Sequence, residues 1–370
     1  MQENKIGILT FHCSNNYGAM LQAYGLKKYL RLKGLNVSIV PYEPPYMTGR
    51  HWLFPYVPHK SLFCQSGWRG GWKARIGIGT DFFRQKENML KFRKKYLTED
   101  ASKKIFFLCQ MKSLSYHYYI VGSDQIWNPE ITCGLKKAYF GAFNNKKKKK
   151  VIAYAASLGK ASLSFEYEEQ FKNLLSHLDA VSLREKKAIP YVKKFFQGEV
   201  IDVIDPVFLL KREEWQKLEK FPQMETYILV YVTENNQELY EYAKYLSQSR
   251  KLPVVELRTS KGEEHAGWHT DYIAGPSEFL GYVHNANYII TNSFHAIAFS
   301  IIFRKKFLAF LHSTLGTRIE NILDICGLEK RIYHKEKDNH IDLEPDWEII
   351  DIKIKEYIKL SEDFLERNII

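Results

Sequence analysis

Apolar and polar positions along this chain fall into blocks that switch between a continuous run and a helical period. Ile6–Phe11 is a short apolar run, and Cys13–Gly18 is a turn rich in Asn. Ala19–Lys33 then carries Leu21, Tyr24 and Leu30 at helical spacing before Gly34 ends it. Leu35–Val40 is apolar again. A helix of this length between two apolar strands predicts a parallel pair joined by a right-handed crossover.

The rhythm breaks at Tyr46–Thr80, where Trp52, Trp68 and Trp72 stand among Gly, Pro, Arg and Lys and neither period persists. This segment is expected to be an irregular insertion: a lid on the first domain, with contact at a membrane interface as the sharper alternative. Asp81–Tyr96 follows as an amphipathic basic helix. Apolar strands then run into polar turns: Tyr118–Val121 into Gly122-Ser123-Asp124, Val151–Ala156 into Ser157, Ala180–Leu183 into Arg184, and Val200–Ile204 into Asp205-Pro206.

A second series begins near residue 224. Strands are expected at Tyr227–Val232, Pro253–Leu257, Tyr288–Ile290 and Lys306–Leu311. Helices are expected at Gln237–Gln248, Ser277–Asn285, Ser293–Phe303 and Arg318–Cys326. Strands alternating with helices predict an α/β protein with mostly parallel sheets covered on both faces. The expected organisation is a first domain at 1–210, a hinge at 211–223, a second domain at 224–345, and a terminal helix at 346–370 packing back on the first domain.

Composition narrows the function classes. A chain of 370 residues, 45% hydrophobic and 26% charged, is globular and long enough for two cores. Five dispersed cysteines without a CxxC pair predict reduced thiols, and no metal-ligand cluster is visible. Met1–Lys5 lead straight into a strand, with no room for a signal peptide, and the longest apolar stretch, Ala296–Phe303, is far short of a spanning helix. The expectation is a soluble, cytoplasmic protein. Its net charge of +12 suits nucleic acid, an anionic membrane surface or small phosphorylated substrates. No zinc-finger, RNP or helix-turn-helix pattern supports nucleic acid. Lys146–Lys150 is expected to be a solvated loop, with anionic lipid as the alternative.

In open parallel sheets ligands sit outside the carboxyl ends of the strands. That rule selects Asn16 and Gly18 after the first strand, then Ser123 and Asp124, Ser157, Arg184, Asn292 and Ser293, and Thr317 with Arg318. His295 falls in the first turn of the helix capped by Ser293 or Asn292. Free backbone N–H groups there favour an anion and disfavour imidazolium, so a neutral histidine beside a phosphate pocket is a candidate proton shuttle. The alternative is a histidine that merely bonds a loop. Arg184 follows a buried strand directly and needs an anionic partner, which a ligand or a carboxylate such as Asp205 supplies equally well. Asn15-Asn16-Tyr17-Gly18 stands in the place of a phosphate loop but is no GxGxxG, which argues against a nicotinamide cofactor.

Several segments together resemble the polysaccharide pyruvyl transferase family. They are Asn-Tyr-Gly-Ala-x-Leu-Gln-Ala-Tyr at 16–24, Val-Gly-Ser-Asp-Gln-Ile-Trp-Asn-Pro at 121–129, Ser-Leu-Arg-Glu at 182–185 and Asp-Pro at 205–206. Gly-Pro-Ser-Glu-Phe-Leu at 275–280, Ile-Thr-Asn-Ser-Phe-His-Ala-Ile-Ala-Phe-Ser at 290–300, and Thr-Arg-Ile-Glu-Asn-Ile-Leu with Cys-Gly-Leu at 317–328 continue the order. The resemblance implies a fold similar to the GT-B glycosyltransferases, two Rossmann-like domains facing across a cleft. It implies transfer of pyruvate from phosphoenolpyruvate, as co-substrate and with no cofactor, to two hydroxyls of a saccharide or lipid-linked saccharide. It further implies His295 as catalytic acid/base, Arg184 at the donor, Arg318 as a second anion ligand, and work at the inner face of the cell membrane.

Two departures stand out. Asn292 and Ala296 occupy places where the family commonly has Asp and Gly. Asn292 accepts a hydrogen bond but cannot offset an imidazolium charge. Two rival readings stay open: a GT-B-like glycosyltransferase using a nucleotide-sugar, and a non-catalytic phosphoenolpyruvate- or sugar-binding homologue.

Overall fold

The computed structural model describes residues 4–48, 80–101, 103–143, 149–259, 264–312, 316–335 and 341–369. The opening apolar run forms β1 (Ile6–Leu9), the helical period forms α1 (Tyr17–Leu32), and β2 (Val37–Ile39) returns parallel to β1. Strand β1 stops two residues before the expected Phe11, because Ser14 N–H turns back to the Phe11 carbonyl at 3.2 Å. On its other side β1 pairs with β3 (Tyr118–Asp124), followed by β4 (Lys150–Ala156), β5 (Ala180–Leu183) and β6 (Val200–Asp202). The first sheet therefore has the order β2-β1-β3-β4-β5-β6, with every pair parallel.

The second sheet is built the same way from β7 (Ile228–Tyr231), β8 (Val254–Leu257), β9 (His269–Asp271), β10 (Tyr288–Thr291) and β11 (Lys306–Ala309). Its order is β11-β10-β7-β8-β9, again all parallel. Strand β9 has no counterpart in the sequence reading: three polar residues at an edge carry no apolar run to detect. Among the described residues the other helices of nine residues or more are α2 (Thr80–Phe92), α3 (Gln237–Arg250), α4 (Pro276–Asn285), α5 (Phe294–Ile302), α6 (Thr317–Cys326) and α7 (Trp347–Ile369). The architecture is α/β, two mostly parallel sheets with helices, as the alternation predicted.

Strand order reverses once in each sheet, between β1 and β3 and between β7 and β10, and each reversal opens a crevice at the carboxyl ends. A continuous apolar core joins the two units. Tyr17 of α1 stacks on Phe279 of α4 at 5.0 Å between ring centres and lies 5.4 Å from Tyr231 of β7. From α2, Gln85 donates to the Arg258 carbonyl at 2.9 Å and Asn88 to the Ile273 carbonyl at 3.0 Å. Within the connecting segment 211–223, Trp215 is fully buried, donating to the Val207 carbonyl and meeting Phe299 edge-on. Helix α7 lies against the first unit: Ser361 Oγ accepts from Ile204 N–H at 3.0 Å, and Tyr29 donates to Glu362 at 2.9 Å.

The Trp-rich insertion at 46–80 and the lysine run at 146–150 lie for the most part outside the described residues; of the run, Lys150 opens β4. Among the described residues no helix is long and apolar enough to cross a membrane. Cys13, Cys109, Cys133 and Cys326 are free thiols.

Candidate active site

The two crevices face each other, and the side chains at their mouths form one buried polar cluster. Arg184 follows β5 directly and is 3% exposed. It donates from Nη1 to Asp205 Oδ2 at 2.7 Å and from Nη2 to Asp124 Oδ1 at 3.3 Å. Asp124 ends β3, while Asp205 follows β6 and caps the short helix Pro206–Leu209 through Val207 N–H. Of the two partners offered by the sequence for Arg184, the protein one is realised. Burial pulls the guanidinium pKa down, but Asp205 and Asp124 outweigh it and hold Arg184 above its ordinary value. Burial pushes the Asp124 carboxyl up, and Arg184, His295 and Arg318 more than reverse this.

Helix α5 supplies the facing group. Ser293 caps it, its hydroxyl accepting from Ala296 N–H, so His295 sits in the first turn. The imidazole is 7% exposed, its Nε2 lies 3.9 Å from Asp205 Oδ2, and Nε2 has no hydrogen-bond partner among the described residues. Burial lowers its pKa from 6.5 to about 4 against the pull of Asp205 and Asp124, so the ring is neutral at pH 7. Gly18, in the first turn of α1, forms its floor: a Cβ there would collide with the ring atoms Nδ1 and Cγ. The last residue of Asn15-Asn16-Tyr17-Gly18 is thus the packing surface that seats the histidine.

Phe294 is a residue the sequence reading passed over. Its ring carries both guanidiniums, Arg184 at 4.9 Å and Arg318 at 5.8 Å from the centroid. Arg318 opens α6 together with Thr317. Its only ion-pair contact among the described residues is Asp124 Oδ1 at 4.0 Å, and its Nε and the Thr317 hydroxyl are buried without a partner there. Gln125, turned with its amide oxygen toward Arg318, accepts from Nη2 at 2.9 Å. Burial, with Arg184 close by, lowers Arg318 to about 10, which leaves it a cation at neutral pH. Of the two cations, Arg184 is held by two carboxylates, and Arg318 by a single longer carboxylate contact among the described residues.

The other sequence candidates take supporting places. Ser123 donates to Asp205 Oδ2 at 3.4 Å. Ser157 donates to Glu185, whose other oxygen is buried without a partner; burial raises its carboxyl pKa. Asn16, expected to bind substrate, is the N-cap of α1, its Oδ1 accepting from Ala19 N–H at 3.0 Å. Asn292 braces the loops at the second crevice: Oδ1 accepts from Thr233 N–H at 2.8 Å and Nδ2 donates to the Glu234 carbonyl at 2.6 Å. The charge partners of His295 are Asp205 and Asp124, so the Asn at 292 does not deprive it of a carboxylate. Asp205 was legible as an acidic residue just past a strand, whereas Phe294 and Glu185 were flanking letters of motifs read for their neighbours. His12 and Cys13 do not pair: the imidazole faces the Thr10 carbonyl and the thiol the Tyr42 carbonyl. Among the described residues no group of three His, Cys, Asp or Glu side chains is placed to hold a metal ion.

No curated protein matches the chain. Solved structures similar to it include a putative UDP-N-acetylglucosamine 2-epimerase from Listeria monocytogenes, at 11% identity over 98% of this chain and 91% of that one, TM-score 0.46. The UDP-GlcNAc 2-epimerase of Methanocaldococcus jannaschii matches at 12% identity over 95% and 92%, TM-score 0.42. UGT89C1 of Arabidopsis thaliana matches at 10% identity over 98% and 94%, TM-score 0.43. The family model for polysaccharide pyruvyl transferase matches residues 16–314, a span that holds every residue of the cluster from Asn16 to His295 and stops just short of Thr317 and Arg318. The chain belongs to the polysaccharide pyruvyl transferase family.

Proposed function

We propose that the chain transfers the pyruvyl unit of phosphoenolpyruvate to two hydroxyls of a saccharide, releasing phosphate. The observation that carries this is the pairing of an open guanidinium, Arg318, with a neutral, buried His295 whose Nε2 is unbonded. A donor bearing a carboxylate and a phosphate needs cations and free donors together, and Arg318, the Thr317 hydroxyl and the first N–H groups of α5 and α6 offer them. Arg184 serves by fixing Asp124 and Asp205.

The anionic donor raises the basicity of His295 by adding negative charge beside it, so an imidazole held near 4 in the free protein gains a proton on binding. His295 then gives that proton to the methylene carbon, which becomes methyl while positive charge develops at the neighbouring carbon. One sugar hydroxyl adds there, and its proton returns to the imidazole. The carbon–oxygen bond to phosphate then breaks, the second hydroxyl takes the vacated position on that carbon, and its proton leaves with phosphate. Donor and diol give ketal and inorganic phosphate, with both hydroxyl protons accounted for.

Thermal unfolding with phosphoenolpyruvate, uridine diphosphate and nucleotide-sugars tests the donor. A ligand held at a hundred times its dissociation constant stabilises by about 2.7 kcal/mol. Phosphoenolpyruvate is expected to stabilise the wild type, to lose this effect in Arg318→Gln, and to keep most of it in His295→Gln, which then releases no phosphate with any saccharide. Stabilisation by nucleotides alone sinks the proposal in favour of a glycosyl donor. Arg184→Ala is the poorer probe, since it strands two buried carboxylates.

A further inference from the structure

The second sheet carries a separate cavity of about 410 Å³ at the carboxyl ends of β7 and β8, within the range of small-molecule sites. Glu256, 1% exposed, lines it. One carboxylate oxygen accepts from Arg258 Nε at 2.8 Å, and the other is buried without a hydrogen-bond partner among the described residues. His265 Nε2, on the same lining, is in the same condition. Tyr240 forms an aromatic wall, braced by the His265 ring at 4.3 Å and Trp268 at 6.1 Å. Thr233 lies on the rim and bonds Asn292, three residues before His295, so the cavity adjoins the helix that carries the candidate acid/base.

The chemistry of this lining selects its ligand. An unpaired buried carboxylate oxygen is costly and calls for a hydroxyl or amine donor. An anion is disfavoured, because Glu256 already neutralises Arg258 and presents its second oxygen. An apolar molecule would leave both orphan atoms unsatisfied. A ring with adjacent hydroxyls meets every condition: it donates to Glu256 and His265, accepts from Arg258, and lays a C–H face against Tyr240.

We propose that this cavity is a saccharide subsite, and, on the pyruvyl-transfer reading, the place of the acceptor sugar or its neighbour in the acceptor chain. The test is saturation-transfer NMR on the full chain with the methyl glycosides of glucose, galactose, mannose and N-acetylmannosamine, and with uridine as the source of a ribose diol. At least one glycoside is expected to bind, with affinity falling tenfold or more in Glu256→Gln and in Tyr240→Ala, while stabilisation by phosphoenolpyruvate persists in both. Should Glu256→Gln fail to fold, Tyr240→Ala at the half-buried wall decides. Binding by none of the glycosides, by uridine alone, or undiminished in the variants overturns the proposal. The two readings fail separately. Glycoside binding that depends on Glu256 without any response to phosphoenolpyruvate keeps this subsite and removes the donor; the reverse pattern keeps the donor and removes the subsite.

Discussion

His295 illustrates how one residue acquires its chemistry from burial. The unfolded chain takes up a proton at this imidazole as pH falls through 6.5, whereas the folded protein resists until about 4. Between those values the unfolded state binds more protons, so stability declines as pH falls and is unaffected by this group above 6.5. His12, lowered by burial to about 3, acts in the same direction. One such group contributes a slope of up to about 1.4 kcal/mol per pH unit. His295→Gln is therefore expected to flatten the pH dependence of the unfolding free energy between pH 6.5 and 4 by up to that amount, as read from urea denaturation. An unchanged slope would mean that the imidazole titrates as if in water.

Within the elements, two asparagines expected from the sequence to bind substrate hold a helix end and a loop. Asn16 caps α1, and replacing such a cap by Ala costs about 1 kcal/mol. Asn16→Ala is expected to lower the unfolding free energy, read from urea denaturation, by that amount while leaving the response to phosphoenolpyruvate intact; lost affinity at unchanged stability would make it a ligand. Asn292→Asp restores the residue common in the family, yet here it sets a carboxylate oxygen against the Glu234 carbonyl in place of a donor. Its expected cost is about 1–3 kcal/mol. An Asp tolerated without loss would show that the β7 and β10 loops rearrange.

At the scale of the whole molecule, the site exists because two units share one core. Tyr17 stands at the junction, in contact with Phe279 and Tyr231 of the second unit and fully buried. Its neighbour Gly18 seats His295, so the junction and the chemistry depend on the same turn of α1. Tyr17→Ala is expected to cost about 3–5 kcal/mol, the range for removing a large buried aromatic. Unfolding transitions followed by circular dichroism and by tryptophan fluorescence are expected to coincide for the wild type and to separate in this variant if the two sheets then unfold independently. Coincident transitions at an unchanged midpoint would mean that the Tyr17 contact contributes nothing to joining them.

Local apolar period and turn chemistry already dictate the alternation of strands and helices, the parallel sheets and the turns that carry polar residues. Ser293 capping, the place of His295 in a first turn and the burial expected for Arg184 were legible for the same reason. Which of these residues meet depends on how the two sheets pack. Arg184, Asp124 and Asp205 lie on three different strand ends, and Arg318 reaches the same Phe294 ring from a helix of the other unit. Gly18 touches His295 across 277 positions of chain. Long-range pairing leaves no local period, so the partner of a buried charge, and hence which arginine stays open to a ligand, emerges only once both sheets are packed.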